Sequence, residues 1–214
     1  MNQQIEIERL TDGVTSVPLW TAVREICCRT GNDGAAIPAE RWEIFGRIWI
    51  EPYRLLASDW TYVAFANGAA VGYLTGCPDT VSFARRHFIH CALPLIGQSV
   101  FGRYRHDGYG RRFARQALWL ERSALRSFPW ALRRALPRSH PAHLHMNVDA
   151  DYRRSGVGTH LLQRYCDDLR RAGIPAVHLF CGAAPVPFYR RNGFRELAAV
   201  AVRGHPVHAM ALDL

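Results

Sequence analysis

The sequence predicts an α/β protein built around a mixed sheet, and three local signals carry that prediction. In "TYVAF-ANGA-AVGYLTG" two β-rich runs flank Asn67-Gly68, a dipeptide that tolerates the positive φ of a tight hairpin turn. "AHLHMNV" (142–148) alternates as a strand, an apolar helical pattern follows it, and "AVHLF" (176–180) reads as a second strand. That order predicts a parallel pair joined by a right-handed crossover. Finally, "FRELAAVAVR" and "VHAMALDL" close the chain as an antiparallel pair turning at "GHP".

The other elements follow in order. "IEIERL" alternates like a short strand. Residues 16–29 read as a helix with Ser16 as its cap, Pro18 in the first turn and Leu19, Val23, Ile26 and Cys27 on one stripe. "GNDG" breaks the chain before a second helix over about Ala39–Trp49. Residues 80–140 form a long, mostly helical excursion broken by "GRYRHDGYG", Pro129 and Pro137. Within it, Phe113, Ala117, Leu118, Leu120 and Leu125 fall at helical spacing, as for an element that covers one side of the domain or acts as a lid. The crossover helix is expected from about Gly156 to Ala172, burying Leu161, Leu162, Tyr165 and Leu169 and stopped by Gly173 and Pro175. "PVPFYRR" is a short helix ending at Asn192-Gly193. No repeat, low-complexity tail or linker divides the 214 residues. One domain over 1–214 is expected, with the helical, arginine-rich segment at about 80–140 as an insertion.

Composition narrows the function classes. Hydrophobic residues make up 49% and charged residues 21%, as in a soluble globular protein. The apolar runs are short for a bilayer, and "MNQQIEIERL" lacks the layout of a secretory signal, so a cytoplasmic location without a membrane partner is expected. The six cysteines show no C-x-x-C pair, favouring reduced thiols over disulfides or zinc. His87, His90 and Cys91 lack a nearby fourth ligand and read as one face of a packed helix, so no metal is expected. The net charge is +9, and all 27 basic residues are arginine. Ten of them lie between Arg103 and Arg138, against only Asp107 and Glu121. Such a block suits an anionic partner or substrate, or a solvated helical face. No aromatic-basic recognition pattern supports nucleic acid as the partner.

In "DYRRSGVGTHLLQRY" (151–165) the spacing Arg153-x-x-Gly156-x-Gly158 sits between a strand and a helix. Free backbone N–H groups and the helix dipole there favour an anion, which glycine lets approach closely. A dinucleotide fold would require a third glycine and a later acidic residue, and a nucleoside triphosphatase would require a lysine; neither pattern fits.

"V-D-A-D-Y-R-R-S-G-V-G-T-H-L-L" followed by "FYRRNGF" resembles the GCN5-related N-acetyltransferase (GNAT) superfamily. There Q/R-x-x-G-x-G/A binds the pyrophosphate of acetyl-CoA, and a later L/F-Y-x-x-x-G-F carries a tyrosine beside the CoA sulfur. "FGRIWIEPY", "VGYLTGCPDT" and "HPAHLHMNV" resemble, more narrowly, bacterial acetyltransferases related to the C-terminal domain of O-GlcNAcase, over about residues 42–197. Gly182 and Pro185 replace a frequent Asn and Ala of the superfamily, and Ala150 replaces its usual Pro.

The resemblance implies the GNAT fold: an α/β (α+β) domain whose mixed, mostly antiparallel sheet splays at the acetyl-CoA site. It implies acyl transfer from acetyl-CoA to a primary amine of a small molecule or peptide, directly in a ternary complex. A non-catalytic acetyl-CoA sensor is the alternative, and a nucleic-acid binder comes third. The pyrophosphate is expected on Arg153, Arg154, Ser155, Gly156, Val157, Gly158 and Thr159. The pantetheine is expected between the strand of Met146 and Val148 and the strand of Cys181, with an N–H near Val148 facing the thioester carbonyl. Tyr189 is the candidate general acid, since a phenol stays protonated at neutral pH; its bland alternative is a core aromatic beside Phe188 and Phe194. His143 and His145 are candidate bases or satisfied strand histidines. Asp79 is a base, an amine holder or the cap of a helix from Thr80, and Asp149 is structural. Acceptor pockets in this superfamily come from N-terminal helices and inserted loops. The arginines suit an anionic acceptor, and C-terminal edge strands allow a homodimer.

Overall fold

The computed structural model describes residues 5–10, 17–31, 34–118, 124–202 and 204–214. Their strands are β1 (Ile5–Arg9), β2 (Thr61–Ala66), β3 (Ala69–Cys77), β4 (Ala142–Val148), β5 (Ala176–Cys181), β6 (Arg195–Val202) and β7 (His205–Asp213). They form one sheet in the order β1-β2-β3-β4-β5-β7-β6. Only β4 and β5 run parallel; every other neighbouring pair is antiparallel. The predicted hairpin turn holds, with φ of 52° at Asn67 and 76° at Gly68. The closing pair also holds, although Phe194 is buried in the core ahead of β6 rather than in the strand.

Helices cover both faces. On one lies α9 (Val157–Arg171), with α10 (Val186–Arg191) beside it. Leu161, Leu162, Tyr165 and Leu169 of α9 pack against Tyr62, Leu74, Leu144, Val177 and Met210 of the strands. On the other lie α1 (Val17–Thr30), α2 (Trp42–Trp49) and α3 (Glu51–Leu56). There Val23, Ile26 and Cys27 meet Val63, Tyr73 and Phe45. The predicted α1 stripe is thus the buried one, while its predicted cap, Ser16, lies outside the described residues. The second helix begins later than expected, because 39–41 form a single 3₁₀ turn. α3 was not foreseen; Pro52 in its first turn is a start signal that follows directly on the end of α2.

Between β3 and β4 run α4 (Thr80–His87), a π-helical turn (Phe88–Ala92), α5 (Leu93–Val100), α6 (Gly108–Ala117), α7 (Ala124–Ser127) and α8 (Trp130–Ser139). Two expectations here need correction. Pro137 does not break the chain but sits inside α8, where the N–H it lacks would have served one bond near the helix end. Leu118 and Leu125 are 44% and 50% exposed, so they line no covered face. Leu120 lies outside the described residues, as does the side chain of Ala117. The "GRYRHDGYG" break is real but shorter, because Asp107 caps α6 by accepting from Gly110 N at 2.7 Å. All six cysteines are free thiols. No helix among the described residues is long and apolar enough to cross a membrane.

One contact ties α9 to the sheet. Tyr165 donates its hydroxyl to His143 O at 2.7 Å, with Cys77 O at 3.1 Å. The approach requires Gly76, since a Cβ there would lie 2.5 Å from the Tyr165 oxygen and 2.7 Å from His143 O. Gly76→Ala should therefore lower stability by about 2 kcal/mol through overpacking. Gly97→Ala, inside α5 with nothing within 4 Å of the added methyl, should leave stability unchanged or raise it by up to about 1 kcal/mol. Urea denaturation of the two variants checks the contrast.

Candidate active site

β4 and β5 part company early. Their parallel pairing is confined to Ala142↔Val177 and His143↔His178, although β4 continues to Val148 and β5 to Cys181. On its other edge β4 stays paired to β3 as far as Val148. Asp149 N donates to Val71 O at 2.9 Å, so odd positions of β4 turn their backbone groups toward β3. By alternation, Met146 and Val148 turn theirs into the widening gap. One of these is already satisfied: Arg153 Nε donates to Val148 O at 3.3 Å.

The glycine loop opens on the same gap. Gly156 is the N-cap of α9 with φ of 90°, and no side chain caps the helix. Arg154 also adopts positive φ, at 64°. The first recorded helical donor is His160 N, bonded to Gly156 O at 3.0 Å, so the amides ahead of it form an uncapped, positively polarised terminus. Arg153, Arg154, Ser155 and Gly156 are exposed, Val157 is buried, and Gly158 and Thr159 lie between. Gly158 has a packing role: a Cβ there would come within 3.2 Å of the Phe188 ring and 3.7 Å of Met146 Cε. Arg153 also reaches Gly34 O at 3.3 Å, so it braces the loop while Arg154 faces solvent.

Tyr189 is buried in α10, its ring 5.1 Å from Phe188 and 5.4 Å from Phe194. Burial pushes its phenol above the ordinary value, and the Cys181 thiol on β5 adds to the shift. Cys181 contacts Met210 Sδ at 3.9 Å, and burial raises its thiol to about 11, which keeps it protonated and a poor nucleophile.

The opposite face of β4 carries His143, His145 and Asn147. Thr80 Oγ1 donates to Pro141 O at 2.7 Å, so His143 must present Nδ1–H to Thr80, 2.8 Å away, and accept at Nε2 from the Tyr53 hydroxyl at 3.0 Å. Both ring nitrogens of His143 are thereby engaged. Among the described residues His145 has one hydrogen-bond partner, the Tyr73 hydroxyl, 3.5 Å from Nδ1. Asn147 Nδ2 holds that same hydroxyl at 2.9 Å. Burial lowers His143 to about 3, helped by His178, His145 and His87, and lowers His145 to about 4. Both imidazoles are neutral at pH 7.

Asp79 accepts from Val81 N at 2.9 Å and Ser82 N at 3.0 Å, so its carboxylate caps α4. Asp149 pairs with Arg29 of α1 at 2.9 Å. Among the described residues no group of three His, Cys, Asp or Glu side chains is placed to hold a metal ion.

A family model for the GNAT acetyltransferase domain matches residues 130–196, which contain the splayed strands, the loop and Tyr189. The crystal structure of SsHAT superposes with a TM-score of 0.72 at 25% identity, covering 98% of each chain. The chain is thus similar to GNAT acetyltransferases in sequence over residues 130–196 and shares its fold with solved structures over nearly its whole length. Serotonin N-acetyltransferase of Macaca mulatta is 43% identical over 70 residues, which are 31% of this chain and 33% of that enzyme, so the match spans about a third of the relative. An agmatine N-acetyltransferase in its apo form shares the fold at a TM-score of 0.56, with 16% identity over 98% of this chain and 99% of that one.

Met146, Val148, Val157, Cys181, Phe188 and Tyr189 pack in one cluster beside the loop of Arg153 to Thr159, whereas His143 and His145 lie on the other face of β4. Sequence reasoning missed the residues that surround the histidines: Trp49, Tyr53, Tyr73, Thr80 and Asn147. Trp42, Phe45 and Trp49 recur at helical spacing and signalled an aromatic face, but not what it meets.

The depressed imidazoles give a stability prediction with a definite sign. Their folded values lie below the free value of 6.5, so between about pH 6.5 and pH 4 the unfolded chain binds protons that the folded chain refuses. Stability should fall on acidification through that window, by up to about 1.4 kcal/mol per pH unit for each imidazole. His145→Gln should make the fall shallower by about one imidazole's share, as read from melting temperatures at pH 7 and pH 5.

Proposed function

We propose that this GNAT protein is an acetyl-CoA-dependent N-acetyltransferase that acts on a primary amine by direct transfer in a ternary complex. The observation that carries the proposal is the coincidence of two unsatisfied backbone surfaces at one gap, the inner edge of β4 and the uncapped start of α9. A long ligand with amide groups along its length and a diphosphate at its end is complementary to both. The reading takes the chain as one domain with an insertion between β3 and β4. It also keeps the narrower kinship to the O-GlcNAcase-related acetyltransferases on the strength of "FGRIWIEPY".

The amides of Gly156 to Thr159 would hold the pyrophosphate, with Arg154 adding charge and Arg153 bracing the loop. The N–H groups of Met146 and Val148 would face the pantetheine and the acyl carbonyl, fixed donors that need no reorganisation as charge develops. Acetyl-CoA supplies an activated thioester when bound. Tyr189 is the proton donor to the departing sulfur, a role that suits a phenol kept protonated by burial. His145, whose Nε2 has no hydrogen-bond partner among the described residues, is the better of the two histidines to receive the amine or a water beside it. Its low basicity makes it a hydrogen-bond acceptor more than a proton sink. His143, saturated by Thr80 and Tyr53, is a positioning residue of the strand. Asp79 is assigned to the cap of α4.

Calorimetry with CoA and a thiol-release assay test the reading together. Tyr189→Phe should lower kcat about 100-fold while CoA affinity stays within about twofold. Arg154→Glu should weaken CoA at least tenfold, in proportion to the charge reversed at the helix terminus. Unchanged turnover in Tyr189→Phe would remove the proton donor, and CoA binding that ignores Arg154→Glu would place the diphosphate elsewhere. Binding without turnover of any amine would identify a sensor instead.

A further inference from the structure

We propose that Trp49 and Tyr109 form a wall of the acceptor site beside His145, and that this wall selects an amine carried on an aromatic ring over polyamines and basic peptides. The inference rests on the acetyltransferase reading above and names the class of amine that the same site takes.

Trp49 ends α2 and leaves 44% of its surface exposed. Its ring lies 5.6 Å from His145, tilted by 35°. Its indole Nε1 donates to the Tyr109 hydroxyl at 3.4 Å, so α6 supplies part of the wall. Phe45 backs both rings, at 6.1 Å from Trp49 and 6.2 Å from Tyr109. An exposed indole supported from behind presents a flat apolar surface with little side-chain freedom left to lose. Another ring packs well on such a surface, offset or edge-on.

Charge points the same way. Most carboxylates on the surrounding elements are already engaged, Glu25 with Arg29, Glu43 with Arg103, Glu51 with Arg54 and Asp149 with Arg29, while Glu40 lies exposed in the turn ahead of α2. Asp79 and Asp107 cap α4 and α6. A second ammonium on a diamine or a basic peptide would therefore enter this site without a carboxylate partner, which is costly for a desolvated charge. Arg41 and Arg112 act electrostatically on Tyr109 and add repulsion to any cation at the rim. An aromatic body escapes both penalties.

The test is calorimetric titration of CoA-saturated protein with phenethylamine, aniline and cadaverine, so that it does not depend on turnover. Both aromatic amines should bind at least tenfold tighter than cadaverine, and comparison of the two tells whether the ring carries the amine directly or through a chain. Trp49→Ala should weaken phenethylamine about tenfold, the loss expected for one ring contact, and leave CoA affinity unchanged. Trp49→Phe should keep most of the affinity. Trp49→Leu, apolar but without a ring, decides the same question should Trp49→Ala unfold. Cadaverine binding as tightly as phenethylamine, or aromatic affinity indifferent to loss of the Trp49 ring, would overturn the inference while leaving the acetyltransferase reading intact. A wild-type protein that bound no CoA would instead overturn that underlying reading and the inference with it.

Discussion

The interruption of hydrogen bonding between β4 and β5 is the constraint on which the rest depends. A strand in the middle of a sheet normally satisfies its backbone on both sides, and buried N–H and C=O groups left alone are expensive. Here β4 keeps β3 along its length and loses β5 after His143. The structure repairs the loss locally, with the Arg153 guanidinium on Val148 O and the start of α9 drawn close by Gly158 against Phe188 and Met146. What is left unrepaired is directional: strand amides along the gap and helix amides at its end. These two sets of donors share an opening because the eight residues from Asp149 to Gly156 bring the start of α9 back beside the end of β4.

Strand alternation then divides the labour within β4. Even positions, Leu144, Met146 and Val148, belong to the core under α9. Odd positions, His143, His145 and Asn147, face the aromatic side chains of α2, α3 and β3. One seven-residue strand therefore divides a core face under α9 from a face lined by aromatic rings and two histidines, while its amides on the β5 side open on the gap. The hydroxyls of Tyr53 and Thr80 spend both nitrogens of His143 on holding that strand still. His145, two residues on, has only its Nδ1 held, by the Tyr73 hydroxyl at 3.5 Å, among the described residues.

The parts of this arrangement legible in the sequence are those set by local rules. The Asn67-Gly68 hairpin, the alternation of 142–148 and the left-handed glycine ahead of α9 each follow from a few adjacent residues. The alternation of 142–148 leaves only two choices of face, and the structure puts Leu144, Met146 and Val148 in the core. Contacts between distant segments were not legible. Nothing local joins Arg29 to Asp149, Tyr53 to His143 or Trp49 to His145, and the splay itself came from family resemblance, not from pattern. Pro137 and Leu125 misled for a related reason: a proline late in a helix forfeits one bond without ending the helix, and an apolar residue at helical spacing is buried only if something packs on it.

The arginine-rich segment illustrates how tertiary contacts reassign a sequence signal. Read as composition, it is a positive block awaiting an anion. In the fold, part of that charge is structural: Arg103 pairs with Glu43, and Arg47 of α2 holds Gln98 and Tyr104 from the α5–α6 region. These bonds dock the segment onto α2, the helix that carries Trp49. Tyr109, from the same docked segment, meets the Trp49 indole. The position of the aromatic wall is therefore coupled to how the segment seats on α2, whereas the glycine loop lies on the far side of β4 and shares none of these contacts. On the reading proposed above, acceptor preference can vary through the segment between β3 and β4 without disturbing the acyl-carrier site, because the segment docks on α2 while the carrier's donors lie at the β5-side edge of β4 and the start of α9.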